Sequence, residues 1–93
     1  MPKYLIERTV AGVGQMDTAA LAAIARESNT VLRDLGPDIQ WMKSYVTDDK
    51  LTCVYVATSE ELVREHGRCG GFPMDAILTV HRVIDPTTAE QGR

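Results

Sequence analysis

Positive charge is in short supply in this sequence. Ten Lys and Arg stand against 13 Asp and Glu, a net charge of −3. Non-specific binding to nucleic acid or to an anionic membrane needs a basic footprint, so neither is expected as a partner. No stretch approaches the roughly 18 consecutive apolar residues of a membrane span. The first residues, MPKYLIERTV, lack the apolar core and small-residue cleavage site of a signal peptide. Cysteine is scarce, with only Cys53 and Cys69. Without an export signal these read as free thiols of a cytoplasmic protein rather than a disulfide. Motifs for phosphate, dinucleotide or zinc-hydrolase chemistry are absent: there is no GxGxxG, phosphate loop, CxxC, HExxH or GxSxG.

What is present is one domain's worth of ordered pattern. The alternation over Lys3 to Thr9 predicts a first strand. Leu21, Ile24, Ala25, Ser28, Val31, Leu32 and Leu35 recur at steps of three and four, one stripe of a helix capped by Asp17 or Thr18. Gly36-Pro37 stops it. Thr58-Ser59-Glu60-Glu61 fits a capping box with Thr58 as cap, opening a second helix with the stripe Leu62, Val63, His66 and Cys69. Gly70-Gly71 ends that helix, and Ala76 to Ile84 reads as the last strand.

Between the helices lies the stretch Ile39 to Ala57, two strands closed by Thr47-Asp48-Asp49-Lys50. The order strand, helix, strand, strand, helix, strand predicts an α+β, ferredoxin-like βαββαβ sandwich. Its four-stranded antiparallel sheet carries both helices on one face. Residues 1–84 form this domain, and 85–93 a polar C-terminal tail. The uncovered sheet face predicts a homodimer resembling a dimeric α/β barrel.

Two loop lengths fit the hairpin, and they differ in which side chains share a face. A three-residue loop, Asp48 to Lys50, puts Trp41, Lys43 and Tyr45 beside Cys53 and Tyr55 on the open face, with Met42, Val46, Val54 and Val56 against the helices. A two-residue Asp48-Asp49 loop instead joins Cys53 and Tyr55 to Met42, Ser44 and Val46. The first yields an aliphatic core and is the expected arrangement.

Candidate chemistry rests on a few residues. Cys53 is a metal ligand once deprotonated, or more plainly a small buried hydrophobe. His66 and Cys69, three apart on one helical face, can reach a common ion, but two ligands are a weak signal and a core histidine is the plainer reading. Glu7 is either an acid on the open face, suited to ligation or base work, or a solvated carboxylate. His81 reads as a surface residue.

Several pieces together resemble a small bacterial family. They are YLIER at Tyr4 to Arg8, VLRDLGP at Val31 to Pro37, W-x-K-S-Y-V-T-D-D-K at Trp41 to Lys50, CVYVA at Cys53 to Ala57, EELVREH at Glu60 to His66, GGFP at Gly70 to Pro73 and RVIDPTTAE at Arg82 to Glu90. The family consists of ferredoxin-like homodimers of unknown biological role, one of them described as nickel-binding. The resemblance implies a dimeric α+β assembly with a metal site. Glu7, Tyr45, Cys53, Tyr55 and His66 match the family pattern. Lys43 departs from it, standing where W-x-H-S-Y has histidine, and a protonated lysine is a poor ligand.

The leading expectation is therefore a cytoplasmic homodimer that binds a metal, nickel first, with Glu7, Cys53 and His66 as ligands. A small hydrophobic ligand would be held by Trp41, Lys43, Tyr45 and Tyr55. One rival is a cofactor-free monooxygenase, isomerase or cyclase with a pocket lined by Trp41, Tyr45 and Tyr55 and served by Glu7 or Lys43. Another is a protein-interaction module with no ligand.

Overall fold

In the computed structural model, which describes residues 1–92, the strands are β1 (Lys3–Thr9), β2 (Ile39–Val46), β3 (Lys50–Ala57) and β4 (Ala76–Val80). The helices are α1 (Thr18–Leu35), between β1 and β2, and α2 (Glu60–Gly70), between β3 and β4. The sheet runs β2-β3-β1-β4, with every neighbouring pair antiparallel. This is the expected ferredoxin-like α+β arrangement. No helix among the described residues is long and apolar enough to cross a membrane.

The helix boundaries follow local chemistry. Asp17 Oδ1 accepts from the Ala20 N–H at 2.8 Å, satisfying one of the free amides of the first turn of α1. Gly36 ends the helix at φ 90°, a conformation that disfavours any side chain. For α2 the cap is Ser59, not Thr58: the Leu62 N–H donates to Ser59 Oγ at 3.3 Å. With Ser59 as cap, Glu61 falls at the second helical position rather than the third that a capping box uses, and its carboxylate meets Arg68 at 2.8 Å. β4 is shorter than expected and ends at Val80. Val80 already pairs with Lys3, the first residue of β1, so from His81 onward the sheet has no partner strand.

The tail from Asp85 forms a short 3-10 turn, Pro86–Glu90. Asp85 accepts from the Thr87 N–H, and Thr88 Oγ1 accepts from the Asp85 N–H. Arg93 lies outside the described residues.

The central hairpin departs from the expected face assignment. Val46 pairs with Leu51, so Asp48-Asp49 is a two-residue link. Between Trp41 and Lys43 the register then shifts by one, leaving Met42 as a bulge. Trp41, Ser44, Cys53 and Tyr55 consequently face the helices, while Lys43, Tyr45, Val54 and Val56 face the other way. The cause is a contact from far along the chain. The segment after β1 grips the hairpin tip through Val10 N–H to Asp49 O, Gly14 N–H to Asp48 O and Gly12 N–H to Asp49 Oδ1, each 2.9 Å. Those bonds hold the two aspartates as the link and set the register.

The core lies between the helices and this face of the sheet. Ile6, Tyr4, Ile39, Leu51, Tyr55, Ala57 and Val63 form its buried centre, with Leu21, Leu32, Leu35 and Leu62 from the helices packed against it. The opposite face is uncovered within one protomer. There Leu78, Leu5, Val54 and Lys43 form one row across the strands, and Ala76, Glu7, Thr52 and Tyr45 the next.

Candidate functional site: a buried polar cluster and an open sheet face

Alternation along β1 sends Tyr4, Ile6 and Arg8 toward the helices, which brings a cation into the core. Arg8 is 3% exposed. Its Nη1 donates to the Pro73 carbonyl at 2.7 Å, and its guanidinium lies 5.5 Å from the centre of the Phe72 ring. Its Nη2 is buried without a hydrogen-bond partner. The ion pairs among the described residues are Arg64–Glu60, Arg68–Glu61 and Arg68–Glu65, all at the surface of α2. None reaches Arg8.

Beside Arg8, Ser28 occupies an apolar-stripe position of α1 and is 5% exposed. Its Oγ is hydrogen-bonded to His66 Nε2 at 3.1 Å. His66, on α2, is fully buried, and the rings of Tyr55 and Phe72 each lie 5.2 Å away. Burial, reinforced by the charge of Arg8, lowers the imidazole to about 4, so it is neutral at pH 7. Burial raises the Tyr55 phenol, with the Arg8 charge opposing the rise. The cluster is thus one fixed cation among neutral polar groups.

Two adjacent cavities with shared walls open next to it, under α1. The smaller, about 40 Å³, is lined by Arg8, Ser28, Cys53, Tyr55 and Phe72. The larger, about 170 Å³, is lined by Leu21, Ala25 and Val46. Ile24, Trp41, Ser44 and Leu51 border both. The Trp41 indole N–H donates to Ser44 Oγ at 3.0 Å, spanning the bulge and holding the ring in a wall common to both cavities.

These placements divide the candidate residues. Cys53 and His66 lie on the helix side of the sheet, whereas Glu7, between Ile6 and Arg8 on β1, projects from the open face. The three do not converge within one protomer. Likewise Trp41 and Tyr55 face the helices, but Lys43 and Tyr45 face outward. The single pocket expected from those four, with Glu7 or Lys43 as acid or base, is therefore split by the sheet. Among the described residues no three His, Cys, Asp or Glu side chains cluster closely enough to hold a metal ion. Cys69 is exposed, and the hydrogen bond from its Sγ to Glu65 raises the thiol. His81 is exposed beyond β4.

Two residues that define the cluster, Arg8 and Ser28, are absent from the candidates chosen on sequence grounds. Their signal was position. Arg8 continues the inward alternation of Tyr4 and Ile6, and Ser28 interrupts an otherwise apolar stripe.

Comparison with known proteins adds a family to this geometry. Residues 4–80 match the family model described as "Nickel responsive protein SCO4226-like". The chain belongs to that family. Its fold is also that of the crystal structure of SCO4226 from Streptomyces coelicolor A3(2), with a TM-score of 0.73 at 14% identity. The likeness covers 88% of this chain and 99% of that one. No curated protein matches the chain.

Nickel can be tested against the residues of this family member. The helix side does not fit an added cation: Cys53 and the neutral His66 imidazole share their surroundings with the fixed charge of Arg8. On the open face Glu7 fits as an oxygen ligand. Tyr45 stands in the same row but two strand spacings away, about 10 Å. Lys43, its nitrogen 5.4 Å from the centre of the Tyr45 ring, adds positive charge. One protomer therefore offers part of a site at most.

Proposed function

We propose that this protein is a homodimeric, nickel-linked binding protein whose metal position lies between two open sheet faces, with Glu7 of each copy as carboxylate ligand. The observation that carries this reading is the placement of Glu7 on the uncovered face, flanked by the apolar row Leu78, Leu5 and Val54. Leu78 is 48% exposed in the single protomer. An apolar face of this kind is stabilised by a second copy, and a two-fold axis would present the same carboxylate twice.

Nickel enters through the family relation. The Glu7 carboxylate is a harder donor than the imidazole or thiolate that nickel favours, and Lys43 supplies a proton-bearing amine. Metal is accordingly held through oxygen, more weakly than by a histidine-rich site. Cytoplasmic residence belongs to the same reading, since Cys53 and Cys69 are unpaired thiols.

Calorimetric titration of nickel chloride into metal-free, untagged protein tests the proposal, with Glu7→Gln alongside. Saturable heat in the wild type that Glu7→Gln abolishes is the expected result. A wild-type protein that takes up no nickel at micromolar concentrations would remove the metal from the account.

A further inference from the structure

On the other side of the sheet, we propose a second binding site, under α1, for a monocarboxylic acid with an apolar body. Its carboxylate would lie against Arg8 and its body in the larger cavity. Nothing in the metal reading requires this site, and the two can fail independently.

A buried guanidinium loses several kcal/mol of hydration, normally recovered from a paired anion and a full set of hydrogen bonds. Arg8 has one carbonyl, one aromatic face and the Tyr55 phenol as its neighbours, Nη2 has no hydrogen-bond partner, and among the described residues no carboxylate pairs with it. The missing partner is an anion. Of the side chains lining the adjoining cavity, Arg8 is the only cation, so a single negative charge is matched and a phosphate dianion is not.

The 40 Å³ cavity beside Arg8 is several times the roughly 10–15 Å³ that one water position needs, enough for a carboxylate head. A carboxylate is planar and takes paired N–H donors from guanidinium, which suits a free Nη2. Ser28 and Tyr55 add hydroxyl groups at the same end. The adjoining 170 Å³ cavity is lined by Leu21, Ile24, Ala25, Val46 and Leu51, with Ser44 as its one polar side chain besides the Trp41 indole, and shares the Trp41 wall with the smaller one. That lining offers water few partners and an alkyl or aryl group a dry surface.

His66 is neutral and already bonded to Ser28, so it neither repels nor replaces the anion. A cationic ligand would meet Arg8 directly.

Trp41 is the sole tryptophan of the chain and borders both cavities, so its fluorescence reports the site without a label. Octanoate titrated into the full-length protein should give a saturable change. Octan-1-ol, of equal length but uncharged, should bind at least about tenfold more weakly, the scale of one charge-assisted hydrogen bond. Arg8→Met should erase that preference, and Ala25→Phe, which fills the larger cavity, should block both compounds. Should Arg8→Met fail to fold by circular dichroism, the octanoate-to-octanol ratio and Ala25→Phe decide the matter between them. A flat response to millimolar octanoate overturns the proposal. So does octanol binding as tightly as octanoate, or octanoate binding undiminished by Ala25→Phe.

Discussion

Ser28 and His66 meet across the packed helices, Oγ to Nε2 at 3.1 Å, with both side chains buried. It is the one hydrogen bond that His66 makes through its ring, since Nδ1 has no partner. Ser28→Ala would leave both ring nitrogens unsatisfied in a dry interior, a cost of about 1–3 kcal/mol. The expected drop in melting temperature is about 4–8 °C per kcal/mol for a domain of this size. Thermal unfolding followed by circular dichroism checks it.

His66 also links stability to pH. Its folded value is about 4 against 6.5 when exposed, because burial and the Arg8 charge disfavour the imidazolium. The unfolded chain therefore binds the proton more readily. The stability is fully present above about pH 6.5 and falls as pH drops toward 4. The full loss is on the order of 3 kcal/mol. Urea unfolding from pH 7.5 to 4 should show this slope in the wild type, and His66→Gln should lack that component.

A third prediction concerns the loop that fixes the hairpin register. A Cβ added at Gly14 would stand 2.7 Å from the Thr47 carbonyl oxygen and 2.9 Å from the Asp48 Cα. Both are backbone atoms, so neither can swing aside as a side chain would. Gly14→Ala should cost about 1–3 kcal/mol and loosen the tip. Amide exchange at Thr47 to Lys50 should accelerate along with the loss of global stability.

The open face supplies a fourth. Leu78→Lys puts a charge at the β4 end of the apolar row with Leu5 and Val54. Folding should change little, because the position is half-exposed in the protomer, while the proposed homodimer should give way to monomer. Light scattering after gel filtration reads the mass directly.

Much of this architecture was legible from local pattern. The stripe of α1, the stop at Gly36-Pro37 and the alternation of β1 each depend on residues close together in the chain. The faces of the hairpin do not. Asp48 and Asp49 look equally able to form a two- or three-residue loop, and the choice is made by amides of Val10, Gly12 and Gly14. The bulge at Met42 then reverses the parity once more, which no periodicity announces. The site suffered for the same reason: Glu7, Cys53 and His66 are ligand types, yet their meeting depends on which way β1 and β3 face. An arginine near a strand end ordinarily lies in solvent, and only the packing of Phe72 and Pro73 over Arg8 makes it a buried cation.

The central claim, a homodimer holding metal between its open faces, is tested most directly by native mass spectrometry of untagged protein before and after adding nickel. Subunit number and bound metal are read from one spectrum. The account predicts a dimer that gains a fixed number of nickel ions, with Glu7→Gln remaining dimeric but gaining none. A monomer, or a dimer whose mass nickel leaves unchanged, would contradict it.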